Sequence, residues 1–149
     1  MARNPIYSFF ASKDSLAPLF LRLALTSIFV FHGCQKAFGW FGGDGWTATI
    51  TSMTDANNLG LPFLIAAAVI IVEPLIALSL FFGFLTRLAA LAVTILMVGA
   101  LVYVHTSENF LDLQTPLLVL ASGLALLFSG GGFLSIDRGI SSGLLPDVG

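Results

Sequence analysis

One apolar run constrains this chain more than any other feature. Leu61–Phe84 is long enough to cross a bilayer as a helix, yet it carries one charge, Glu73, near its middle in the context IIVEPLIAL. An ionised carboxylate at the bilayer centre costs ~2.5 kcal/mol or more, so Glu73 must be protonated or paired with a cation. Pro74 follows directly. A proline inside a helix removes one backbone hydrogen bond and favours a kink, which opens a local polar gap. Two uses of Glu73 are therefore expected: an interhelical clamp with Arg22 or Lys36, or a proton-accepting or ligand-binding carboxylate near the midplane.

Three further apolar runs accompany it. Pro18–Phe38 is broken only by Arg22, His32 and Lys36; Leu88–Val104 is flanked by Arg87 and His105; Leu117–Phe128 is shorter, with a start nearer Phe110. Only 9% of the 149 residues are charged and 57% are hydrophobic, whereas soluble domains carry roughly 25% charged residues. Such a surface is made for lipid. Lone strands leave backbone groups unpaired in lipid and no alternating barrel pattern is present, which leaves helices. The expectation is a single all-α membrane domain over 1–149. Its four-transmembrane-helix, up-down bundle spans about 18–38, 61–84, 88–105 and 113–129, with an outward loop at 39–60.

The connections fit that arrangement. Gly83, Thr86 and Arg87 leave room only for a very short turn, so the second and third spans are antiparallel neighbours. In the longer link Gly39–Gly60, the stretch Gly45–Asn58 is expected as a short helix on the membrane face. Pro62 suits a first helical turn. The glycine-rich segment from Gly130 reads as an interfacial exit. Arg3, Lys13, Arg22, Arg87 and Arg138 fall on one side, and Lys36 falls on the other with Asp44, Asp55, Glu108 and Asp112. The positive-inside bias then places both termini in the cytoplasm and the Trp40/Trp46 elbow outside, in a prokaryotic inner membrane. Met1–Leu16 is polar and carries no secretory cleavage pattern. Phe31-His-Gly-Cys only superficially resembles a lipoprotein cleavage box, where phenylalanine and histidine sit badly.

Ionisable residues within the spans are the candidate site. Arg22, Phe29 and Lys36 recur at heptad spacing on one stripe of the first helix, with His32 one turn before Lys36. Arg22 and Arg87 are read as end-of-helix anchors or partners in ion pairs, and Lys36 is able to snorkel. His32 lies too far inside for its short ring to reach headgroups, and His105 is expected at the same level. Two histidines fall short of a metal centre unless Glu73 or Glu108 completes it, so none is expected. Cys34 is the sole cysteine, which excludes an internal disulfide. A net charge of −2 without a basic patch argues against a nucleic-acid partner.

Several short motifs together resemble one family. His32-Gly33-x-Gln35-Lys36 is followed by Phe38-Gly39-Trp40-Phe41-Gly42-Gly43 and Gly60-Leu61-Pro62. Glu73, Leu85-Thr86-Arg87-Leu88-Ala89-Ala90 and His105 come after them. Across about Leu16 to Asp137 the chain resembles the DoxX family of small four-helix membrane proteins of prokaryotes. The resemblance implies association with quinone-linked sulfur oxidation or redox-stress complexes. It singles out His32, Lys36, Glu73, Arg87 and His105. The chain departs from four-helix thiol–disulfide membrane enzymes in lacking Cys-x-x-Cys.

Two functions from different classes follow. In one, the chain is a subunit of a quinone-linked oxidoreductase. His32, Lys36, His105 and Glu73 serve as catalytic hydrogen-bonding and proton-relay groups beside aromatic walls such as Phe38 and Trp40. The chain offers no flavin, haem or Fe–S fingerprint, so such a centre comes from a partner subunit. In the other, it is a non-catalytic accessory bundle, alone or as a homo-oligomer, packed against other membrane subunits and locked by the same charges.

Overall fold

The computed structural model describes residues 15–103 and 110–143. Among them every regular element is a helix. The elements are α1 (Ala17–Phe38), a 3₁₀ turn (Trp40–Gly42), α2 (Gly45–Thr54), α3 (Phe63–Phe82), α4 (Thr86–Tyr103), α5 (Phe110–Ser129) and α6 (Ile136–Gly143). His105 and Glu108 lie outside the described residues.

Helix ends follow local chemistry. Pro18 sits in the first turn of α1, where its missing N–H would find no partner anyway. Gly39 ends α1 in the left-handed region (φ 71°) and turns its N–H back to Cys34 and Gln35 carbonyls. Pro62 precedes α3 as its cap rather than entering the first turn. Gly83 closes α3 at φ 65°. At 1.5 Å rise per residue, the 22 residues of α1 span roughly 33 Å, about one hydrocarbon core.

α1 packs along α3, and α4 along α5; α3 also meets α4, and α1 meets α5. α2 lies across the elbow end of α1 and α3. The interior is small: Leu25, Phe29, Ile76, Leu80, Val93 and Leu126 are buried. The exterior is not polar in compensation. Phe20, Leu64, Leu118 and Phe128 are 67–79% exposed, an arrangement that water would penalise and lipid accepts. α1, α3 and α4 are long and apolar enough to cross a membrane, and α5 contributes the shorter apolar stretch Leu113–Ser129.

The end opposite the elbow is tied by one arginine. Arg22 is 1% exposed. Its Nε donates to the Leu80 carbonyl (2.7 Å) and Nη2 to that of Phe81 (2.9 Å). Nη1 donates to the carbonyls of Gly131 (2.8 Å) and Leu134 (2.6 Å). Helix ends leave carbonyls without partners, and a planar guanidinium with five donors can satisfy several at once. The sequence placed Arg22 as a snorkelling anchor or a partner of Glu73. It is instead a buried cross-link between the end of α3 and the loop after α5.

The glycine-rich exit also folds back. Asp137, 4% exposed, accepts the N–H groups of Leu85 (2.7 Å) and Thr86 (2.8 Å) and donates its own N–H to Gly83 (3.0 Å). It thereby caps α4 from a helix remote in sequence and holds Leu85 in the left-handed region (φ 51°). Phe133 donates to the Ser15 carbonyl (3.2 Å), so the start of α1 and the segment after α5 share one end of the bundle.

Candidate functional site

The site forms because α1 and α3 run antiparallel. Arg22 of α1 meets the Leu80 carbonyl of α3, and further along α1 Lys36 meets Glu73, so rising numbers pair with falling ones. In a helix each Cα–Cβ bond leans toward the N-terminus. Lys36 therefore reaches from the elbow end back into the bundle, while Glu73 leans toward the elbow. They converge, and Lys36 Nζ donates to Glu73 Oε1 as an ion pair. Lys36 turns inward instead of snorkelling out, and of the two cations proposed for Glu73 it is the partner.

Gly33 allows the approach. A Cβ there would lie 3.2 Å from both Pro74 Cδ and Pro74 N, and 3.5 Å from Glu73 Cβ. Only hydrogen fits without displacing α3, a small-residue contact of the kind that lets membrane helices come close. The elbow folds back onto α1 just as tightly. A Cβ on Gly43 would come within 2.5 Å of Gln35 Cα, and Gln35 Nε2 donates to the Phe41 carbonyl at 3.4 Å.

The pair is asymmetric. Glu73 is 5% exposed, whereas the Lys36 side chain is 28% exposed. Glu73 Oε2 is sealed from solvent and meets no hydrogen-bond partner among the described residues. A buried oxygen in that state normally has a partner, and its absence costs about 1–3 kcal/mol.

Cavities surround this pair. One of about 430 Å³ is lined by Phe29, His32, Lys36, Glu73, Met97 and Thr115. A second, about 250 Å³, reaches Lys36 and Glu73 past Met97 and Tyr103. A third, about 520 Å³, is the most polar of the three and lies under the elbow; Gln35, Lys36, Asp44, Ser52 and Asn58 border it. Lys36 borders all three and so stands between the polar outer chamber and the apolar inner ones.

The predicted site residues separate accordingly. His32, Lys36 and Glu73 share the 430 Å³ cavity. His32 meets Phe31 edge to face, with ring centroids 5.6 Å apart. Trp40 lines none of the three cavities; it is 59% exposed and packs on Phe38 (5.3 Å). The aromatic residue that lines the 430 Å³ cavity is Phe29, which the heptad stripe had placed on the same face as Lys36. Arg87 stands half-buried in the first turn of α4, in the register of the turn that Asp137 caps. Sequence reasoning missed Thr115 and Asp137. Thr115, next to Pro116 in α5, is a polar break that periodicity could have flagged, whereas no local signal marks a cap supplied from more than fifty residues away.

An apolar cavity with a few convergent polar groups is the usual form of a small-molecule site. Lys36 can donate, His32 and Thr115 can donate or accept, and the Glu73 carboxylate can accept. The DoxX family pattern matches residues 17–106. Over 129 residues the chain is 25% identical to the "Putative oxidoreductase CatD" of Bacillus subtilis (strain 168), covering 86% of this chain and 90% of that protein. No solved structure matches the chain.

Proposed function

The chain belongs to the DoxX family, and we propose that it is a small integral membrane subunit of a larger prokaryotic complex whose Lys36–Glu73 cavity binds a quinone-type headgroup. The observation that carries this is the Lys36–Glu73 ion pair, which lines an apolar chamber together with His32. The name of the Bacillus relative, an oxidoreductase, supports a redox setting. A quinone takes up two electrons and two protons, and its quinol gives them back. Lys36 and His32 orient the headgroup by hydrogen bonds, the Glu73 carboxylate accepts a proton released by it, Phe29 supplies a ring-sized apolar wall, and Met97 keeps water out. The electron donor and any flavin, haem or Fe–S centre belong to a partner subunit.

In this proposal α5 makes a fourth crossing, and both termini face the cytoplasm of the inner membrane. Arg22, Arg87 and Arg138 gather at the end away from the elbow, in keeping with the positive-inside bias. The elbow end carries Asp44 and Asp55, so the polar chamber opens outward.

A second reading has its own support. The ion pair and the Gly33–Pro74 contact are also what an accessory bundle would use to lock its helices. Purification in mild detergent separates the two. Stoichiometric extractable quinone that is lost in His32→Ala supports the headgroup site. A fixed protein partner without quinone, and unchanged turnover of that complex in the mutant, supports the accessory role.

A further inference from the structure

Helix α6 is built inside out. Asp137 and Ser141, one turn apart, are both buried, so its polar face turns inward. Ile136 on the same helix, with Phe133 and Leu134 just before it, is left 46–57% exposed. Water would penalise that arrangement, whereas the edge of a bilayer accepts it.

Bonds fix the depth of α6. α3 ends at Phe82 and α4 begins at Thr86, so the turn between these two apolar spans marks one boundary of the hydrocarbon. Asp137 holds that turn, donating its N–H to Gly83 and accepting from Leu85 and Thr86. α6 therefore lies at the level of lipid headgroups. A groove of about 460 Å³ is found there, bordered by Phe82, Phe133, Leu134, Ile136, Arg138 and Ser142.

Arg138 gives the groove its charge. Its guanidinium carbon stands 4.6 Å from the centre of the Phe133 ring, a stack that uses the flat face of the group. The N–H donors lie along its edge, and five of them can serve more than one acceptor. Two phosphate oxygens match that edge. Among the described residues no carboxylate borders the groove, and Asp137 is buried with both oxygens occupied. A phosphate diester is thus favoured, while an ammonium on the same headgroup meets the repulsion of Arg138 and no acid. Phe82 and Ile136, both exposed, offer acyl chains an apolar wall.

We propose that this groove binds an anionic phospholipid, its phosphate on Arg138 and its acyl chains along Phe82, Phe133 and Ile136. The site stands at the other end of the bundle from the Lys36–Glu73 cavity and does not depend on what that cavity holds.

The test titrates the full chain in a non-ionic detergent and reads bound probe by native mass spectrometry. The probes are dioctanoyl phosphatidylglycerol, dioctanoyl phosphatidylethanolamine and glycerol phosphate. The wild type should bind the glycerol lipid about fivefold or more tighter than the ethanolamine lipid, the effect of one cation on an anionic headgroup. Arg138→Met should bring that ratio near one. Equal binding of the two lipids by the wild type, or a preference that survives in Arg138→Met, overturns the proposal. So does glycerol phosphate binding as tightly as the glycerol lipid, which marks a free-anion site. Should Arg138→Met fail to fold, a phosphatidylglycerol with a photoreactive acyl chain decides on the wild type. Crosslinks to Phe82, Phe133, Leu134 or Ile136 support the site, and crosslinks confined to other segments overturn it.

Discussion

Gly33 of α1 and Pro74 of α3 touch so closely that a Cβ at position 33 would stand 3.2 Å from the proline ring and from its nitrogen. This contact sets the distance between the two helices at the level where Lys36 crosses to Glu73. The rigid proline cannot yield as a flexible side chain would.

Gly33→Ala is accordingly expected to destabilise the protein by about 1–3 kcal/mol through overpacking, and Gly33→Val by more. Denaturation of the detergent-solubilised protein by SDS checks it. A Gly33→Ala variant as stable as wild type would show that α1 and α3 can separate freely here.

The ion pair should respond unequally to loss of either partner. Lys36→Met strands a carboxylate that is 5% exposed, and removing one member of a buried pair costs about 3–5 kcal/mol. Glu73→Leu leaves a lysine that can turn to the polar chamber, so a stable protein without headgroup binding is expected. The double variant should recover much of the Lys36→Met loss. A stable Glu73→Leu protein that still binds headgroup and retains full activity would refute both the clamp and the site.

Arg22 tests a different claim, that guanidinium shape rather than charge closes the end away from the elbow. Its donors reach the carbonyls of Leu80, Phe81, Gly131 and Leu134 at 2.6–2.9 Å. Lysine has no planar fork, so Arg22→Lys should rescue little, and Arg22→Met should cost about 3 kcal/mol or more. Folded yield and SDS midpoint report it; a fully stable Arg22→Lys protein contradicts it.

Asp137 should act as a cap that can be graded. Asp137→Ala removes both acceptors from the N–H groups of Leu85 and Thr86, a loss of about 0.5–2 kcal/mol. Asp137→Asn keeps one acceptor oxygen and should lose less. Amide hydrogen exchange at Leu85 and Thr86 should accelerate in the order wild type, Asn, Ala; equal rates in all three would rule out the cap.

Much of this was legible in the chain. Glu73 is conspicuous because nothing else in Leu61–Phe84 is charged, and the heptad stripe put Phe29 and Lys36 on one face before any packing was known. Arg22 and Trp40 sit elsewhere than the sequence suggested, for opposite reasons. Arg22 looked like an interfacial anchor because its position near a helix start says nothing about carbonyls arriving from α3 and from the loop after α5. Trp40 was expected beside the His32–Lys36 segment because it follows that segment in sequence, whereas the turn at Gly39 places it on Phe38, outside the three cavities.

The sequence by itself determined that the chain is helical and made for lipid. The lengths of its apolar runs and its scarcity of charge leave the backbone no other way to satisfy its hydrogen bonds in hydrocarbon. It also determined that Glu73 must be either protonated or paired with a cation. Which cation was decided only by tertiary structure. Antiparallel packing, the inward lean of Lys36 and the outward lean of Glu73, and the bare Cα of Gly33 against Pro74 bring one lysine within reach. The same packing commits Arg22 to helix ends, and it buries one carboxylate oxygen of Glu73 with no hydrogen-bond partner among the described residues. These are relations between residues far apart in the chain, and side-chain direction and interhelical distance exist only once the helices have met.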